Sequence, residues 1–147
     1  MLVDQLLPSA RDQLVTIKDD APLIEAARLL HGRSASLVVV LNVDGVMVGV
    51  ITKSDVVGQI SGCQGSSCMT AASVVMTRDV TFCHPHVLLR SVWERMRKSD
   101  LKHVPIVDRE LRPLGVLNAR QAVQALMEEL GSEEELLREY VMGIGYR

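Results

Sequence analysis

Gly49-Val50-Ile51-Thr52-Lys53-Ser54-Asp55 is a short apolar run that ends in a hydroxyl and, three residues on, a carboxylate. It reads as a strand feeding directly into a helix, with Thr52 at the N-cap. The first backbone N–H groups of a helix lack partners within it, so they attract anions such as phosphate. About 66 residues later the same pattern returns as Gly115-Val116-Leu117-Asn118-Ala119-Arg120-Gln121. A motif repeated at that distance makes the chain two similar halves, and every other segment is read accordingly.

Working outward from the first copy, Leu37 to Leu41 is apolar and mostly β-branched, and Asp44-Gly45 turns it into a second run, Val46 to Ile51. That is a hairpin. Before it, Leu14 to Ile17 favours a strand, and Leu23, Ala26, Ala27 and Leu30 recur at helical spacing over residues 22 to 31. After it, Thr52 opens a helix carrying Val56, Val57 and Ile60. The second half repeats this order, with Val80 to Cys83 as a strand and Pro85 to Lys98 as a helix. Val104 to Val107 and Pro113 to Leu117 then form the hairpin, and Asn118 to about Leu130 the closing helix. The fold class expected is α+β, two β-α-β-β-α repeats in a pseudo-symmetric pair. The boundaries read as 1-62 for the first repeat with an N-terminal lead-in, 63-76 for a linker, 77-130 for the second repeat and 131-147 for a helical tail. Gly131 stops the closing helix, Ser132 and Glu135 form a capping-box signature, and Leu136, Leu137, Tyr140 and Val141 make an apolar stripe.

A chain of 147 residues suffices for one domain or two small units sharing a core. Its 48% hydrophobic and 23% charged content is that of a globular protein. With 16 basic and 18 acidic residues the formal charge is −2, which leaves no broad footprint for nucleic acid or an anionic membrane. No apolar run approaches the ~20 residues of a membrane span, so no membrane partner is expected. An acidic start, Met1-Leu2-Val3-Asp4, and three cysteines without framework spacing favour a cytoplasmic location.

The two halves resemble a tandem pair of cystathionine-β-synthase-type (CBS) domains, also called a Bateman module. The resemblance spans about residues 14 to 130. It rests on the repeated element order, on Val75-Met76-Thr77, on His103-Val104-Pro105-Ile106-Val107-Asp108 and on the motif ending at Asp55. It implies a regulatory module and not an enzyme, with an adenosine compound (AMP, ADP, ATP or S-adenosylmethionine) bound between the repeats and no cofactor required. In such proteins the threonine and aspartate of the motif contact ribose and phosphate, which falls here on Thr52 and Asp55. The resemblance also implies that Lys102 and His103 face the phosphates held by the opposite repeat.

The residues themselves leave two readings of Asp55. Thr52 and Asp55 have the spacing of a capping box, which needs no ligand. Asn118 and Gln121 have the chemistry to cap the second helix without a carboxylate, so an aspartate is not required for capping alone. A carboxylate beside a phosphate repels it, but its two oxygens can accept from both ribose hydroxyls. Asp55 is therefore expected to hold the sugar, with Thr52 and the helix-start N–H groups facing a phosphate and Lys53 a further candidate. Val50 and Ile51, with Val80 and Thr81 from the other repeat, are expected to sandwich the adenine. A weaker second site is expected from Thr16, Ser36, Leu37, Leu117, Asn118 and Arg120, with no ribose carboxylate.

Cys63, Cys68 and the run Cys83-His84-Pro85-His86 match no standard metal spacing, and no metal site is expected. Walker-type loops, G-x-S-x-G and HExxH are missing from the sequence, so catalysis has no residues to stand on. The expectation is a stand-alone ligand sensor, a homodimer acting on an unidentified regulated protein. The alternative is a dimeric interaction module with an empty cleft.

Overall fold

The structure is a computed structural model that describes residues 1–32, 35–61 and 69–131. A 3-10 turn, Val3–Leu6, and helix α1, Leu7–Asp12, precede the first repeat. That repeat comprises β1 (Thr16–Lys18), α2 (Leu23–Gly32), β2 (Leu37–Leu41), β3 (Met47–Thr52) and α3 (Lys53–Ser61). A short α4 (Ala72–Val75) leads to α5 (Leu89–Lys98), β4 (His103–Val107) and β5 (Pro113–Asn118). Helix α6, residues 119–131, closes the second repeat. The expected helical tail and Cys63 and Cys68 lie outside the described residues.

The first sheet has the order β1-β2-β3, with β1 parallel and β3 antiparallel to β2. The second pairs β4 with β5 antiparallel. The strand expected at Val80 to Cys83 contracts to one parallel bridge between Cys83 and Ile106, in which Cys83 N–H donates to Pro105 O at 3.0 Å and Val107 N–H to Cys83 O at 2.9 Å. Pro105 itself has no N–H to extend such a ladder. Helix α5 starts at Leu89, four residues later than expected from Pro85. The carbonyls of Pro85 and Val87 accept instead from Asp4 and Val3 of the lead-in, at 2.9 and 3.0 Å.

Each hairpin bends at a matching place. Asn42 Oδ1 accepts from the N–H groups of Asp44 and Val46, and Asp108 Oδ1 accepts from those of Glu110 and Arg112. Gly45 sits at φ +77°, and its counterpart Leu111 at φ +63°. A leucine there is strained, and it is tied down because Leu111 O accepts from Met47 N–H of the other repeat at 3.0 Å.

Three apolar layers follow from the pleat. Val38, Val40 and Ile51 face α2 and α3 with Leu23, Ala26 and Leu30. Val104, Ile106 and Leu117 face α5 and α6 with Leu89, Val92 and Met96. Between the sheets lie Leu37, Val39, Met47, Val50, Val107 and Val116. The segments preceding each repeat are exchanged. Val3 and Ala10 of the lead-in, which the sequence grouped with the first repeat, pack in the second repeat's core. Ala72 and Met76, read as linker, pack in the first.

A glycine admits each exchanged segment. A Cβ on Gly49 would meet Met76 Sδ at 2.6 Å and Thr77 O at 2.9 Å, and one on Gly115 would meet the backbone C and O of Ala10 at 2.8 and 2.9 Å. Backbone cannot swing aside as a side chain can. Gly115→Ala is therefore expected to cost about 1–3 kcal/mol in urea denaturation. Gly58→Ala, in α3 with nothing within 4 Å of the added carbon, is expected to stabilise by about 0.5–1 kcal/mol. Equal effects of the two would contradict the packing described.

Candidate functional site: the cleft between the repeats

At the end where β3 becomes α3, residues of both repeats line a cleft of about 640 Å³. That size suits a small-molecule ligand. Its first-repeat wall is Ser36 and Leu37 at the start of β2, Val50 and Thr52 at the end of β3, and Lys53, Ser54 and Asp55 at the start of α3. The facing wall is Thr77, the stretch Asp79 to Thr81, and Asp100 to His103 with Pro105.

The motif closes on itself. Asp55 Oδ2 accepts from Thr52 N–H at 2.9 Å and from Thr52 Oγ1 at 3.1 Å, while Asp55 N–H reaches Thr52 Oγ1 at 3.4 Å. This is the capping box. Thr77 Oγ1 adds donations to Oδ1 at 3.3 Å and Oδ2 at 3.5 Å. Thr77 is held there by its backbone, which exchanges two hydrogen bonds with Val50 at 2.8 and 3.0 Å. An ionised carboxylate offers about four acceptor positions, so Asp55 keeps capacity for about one further donor, and for a second where Thr77 turns away.

Of the residues expected to form this site, Val50, Thr52, Lys53, Asp55, Val80, Thr81, Lys102 and His103 line the cleft together. Ile51 does not. It is fully buried in the layer under α2 and α3, because successive side chains of a strand point to opposite faces and Val50 takes the cleft side.

The residues expected for a second site are dispersed. Leu117 is fully buried among the helices, for the same pleat reason as Ile51. Thr16 lies in a separate depression with Lys18, Asp20 and Glu25, and Arg120 on an outer face of α6 with Val123 and Met127. Ser36 and Leu37 line the first cleft. The register explains this, since Leu37 pairs with Thr52 and therefore stands at the same sheet end as the motif.

Asn118 also departs from expectation. Its Oδ1 accepts from Arg120 N–H at 2.7 Å, and its Nδ2–H donates to His103 Nε2 at 3.3 Å. The reciprocal bond expected from Gln121 does not occur among the described residues. Cleft residues missed at the sequence level are Ser54, Thr77, Asp79, Asp100, Leu101 and Pro105. Thr77 was within reach, as the end of Val75-Met76-Thr77. Asp100 carried no signal, being a left-handed residue, φ +52°, after α5.

Burial pushes the Cys83 thiol up to about 11, only partly offset by Arg95, so it is protonated at neutral pH and unsuited to bind a metal. No group of three or more His, Cys, Asp or Glu placed for a metal occurs among the described residues. No helix among them is long and apolar enough to cross a membrane.

With this architecture in place, the comparison with known families is decisive: the model of the CBS domain matches residues 3–62 and again 71–128. The chain belongs to the CBS domain family. This CBS pair is similar to the crystal structure of a CBS-domain containing protein of Agrobacterium tumefaciens, at 31% identity and TM-score 0.72 over 84% of this chain and 92% of that one. It also shares its fold with a CBS domain pair solved in complex with 5′-methylthioadenosine and S-adenosyl-L-methionine, at 22% identity and TM-score 0.71 over 88% and 97%. Among curated proteins it is 26% identical over 108 residues to a homoserine O-acetyltransferase of Methanococcoides burtonii, covering 74% of this chain and 21% of that protein. It is 28% identical over 135 residues to the choline transport ATP-binding protein OpuBA of Bacillus subtilis, covering 92% and 33%. The CBS pair thus spans about a fifth to a third of the length of these relatives.

Within the cleft, burial and the neighbouring Lys102 hold the His103 pKa below its usual value. The unfolded chain, where histidine titrates near about 6.5, then takes up a proton more readily than the folded one. Stability is expected to fall as pH drops below about 6.5 and to level off below the folded pKa. His103→Gln should flatten that part of a plot of urea midpoint against pH; an unchanged slope would contradict it.

Proposed function

We propose that this CBS pair is a regulatory module that binds an adenosine compound, AMP, ADP, ATP or S-adenosylmethionine, in the cleft between its repeats. The observation that carries the reading is the convergence of Thr52, Asp55 and Lys102 on one cleft with apolar walls at Leu37, Val50 and Val80. Asp55 accepts from the ribose hydroxyls, with Thr77 turning aside or sharing. Thr52, the start of α3 and Lys102 face the 5′ substituent. The aliphatic side chains flank the base. A similar fold solved with two adenosine-derived ligands supports the choice of ligand class. Binding shifts the module only as far as affinity differs between two arrangements of the repeats.

Asp55→Asn is expected to lower affinity about 10- to 100-fold, since charge-assisted hydrogen bonds are worth roughly 1.5–3 kcal/mol. Isothermal calorimetry with AMP, ATP and S-adenosylmethionine measures this. Wild type that binds none of them would sink the ligand reading.

A second reading has one observation in its favour, which is that Asp55 is already bonded to Thr52 and Thr77 without a ligand. On that reading the module acts by association alone. Both readings include a homodimer, supported by exposed apolar residues with the same three-residue spacing on the two closing helices: Val57 and Ile60 on α3, and, one turn further along, Met127 and Leu130 on α6. Met127→Glu is expected to shift sedimentation from dimer to monomer. A wild-type monomer at micromolar concentration would refute the dimer.

A further inference from the structure

Asn118 occupies the position that Thr52 holds in the first repeat, yet its side chain serves the cleft of the other motif. The backbone N–H of Arg120 can only donate, so the Asn118 atom 2.7 Å from it is Oδ1. The other amide atom, Nδ2, therefore faces His103 Nε2 at 3.3 Å. An amide nitrogen can only donate, so Nε2 must present its lone pair, and the neutral ring carries its proton on Nδ1. The register His103↔Asn118 on β4 and β5 sets the two side chains opposite each other. At the corresponding place in the first repeat, Leu37↔Thr52, no such pair exists.

We propose that Asn118 is a relay between the cleft and α6: one amide caps the helix and holds His103, and both bonds coexist only while Nε2 is unprotonated. A proton on Nε2 sets two donors face to face. Turning the amide over gives the imidazolium its acceptor, but then places an NH2 group against Arg120 N–H and removes the cap. Protonation in the cleft is thus exchanged for order at the start of α6, the helix that exposes Met127 and Leu130. The low pKa of His103 agrees with the resting arrangement.

The charged groups that share the cleft or the cap with the ring are Asp100 and Lys102 in the segment leading into its strand, Asp79 on the same wall, Lys53 and Asp55 opposite at α3, and Arg120 on α6. The cations oppose protonation and the carboxylates favour it. An anion entering the cleft acts with the carboxylates. On the adenosine reading above, on which this extension rests, a phosphorylated ligand throws the relay and an uncharged one does not.

Ligand-free protein labelled with 15N tests the relay by NMR, following the His103 ring and the exchange protection of the Arg120 amide against pH. Protection at Arg120 is expected to fall severalfold in step with His103 titration. Asn118→Asp keeps a cap acceptor and offers His103 a second one. It should raise the His103 protonation constant at least tenfold and uncouple Arg120 from it. Arg120 protection that ignores the wild-type titration, or a His103 pKa unchanged in Asn118→Asp, overturns the proposal. With ligands added, AMP should raise the His103 pKa and lower Arg120 protection, while adenosine changes neither. AMP bound without either change overturns the extension. If neither ligand binds, the adenosine reading fails, and the ligand-free titration still decides the relay.

Discussion

The layer between the two sheets governs the molecule. Leu37, Val39, Met47, Val50, Val107 and Val116 have no water to face once the repeats meet, and each lies on a strand whose alternate side chains are committed to the repeat's own helices. A one-residue slip in any strand would turn both sets over at once. The register is therefore fixed from two sides, and with it the position of Thr52 beside Leu37 and of Asn118 beside His103. The cleft is the place where this layer runs out at the strand ends. Its walls come from both repeats because the layer that stops there belongs to both.

Exchange of the leading segments adds a second bond between the halves. Helix α1 lies on β5 where Gly115 leaves room, and Met76 and Thr77 lie on β3 where Gly49 does. Neither repeat completes its own core. The same exchange brings Thr77 to Asp55, since the segment that crosses Gly49 pairs with Val50 two residues before Thr52. Packing and site chemistry are consequences of one crossing.

Much of this was legible in the residues. The β2 run from Leu37 to Leu41 was delimited by composition alone and the first hairpin by its Asp44-Gly45 turn, because local sterics decide such elements, and the second hairpin followed from the repeated order. The site's core, Thr52 to Asp55 with Lys102 and His103, followed from the motif and the resemblance. What was not legible depended on partners distant in sequence. The lead-in gives no sign in its own residues that it will pack on the second repeat. Ile51 and Val50 are chemically alike, and only the pleat separates a core residue from a cleft residue. Ser36 and Leu37 were placed with the wrong motif because a repeat symmetry read from sequence does not say which strand ends converge.

The two copies of the motif have diverged in kind. In the first, Asp55 turns back on Thr52 in a reciprocal box, so the cap is built from side chains three residues apart and needs nothing from the other strand. In the second, Asn118 caps over a shorter span, through Arg120, and that leaves its Nδ2 group free to reach across the hairpin to His103. A threonine there has only one hydroxyl, and an aspartate has no donor. Asparagine carries its acceptor and its donor on two different atoms, so it accepts from the helix in one direction and donates to the imidazole in another. Its presence thus has a physical reason that does not involve a second ligand site: through His103 the second motif braces a wall of the first cleft, and its two-atom amide suits that reach.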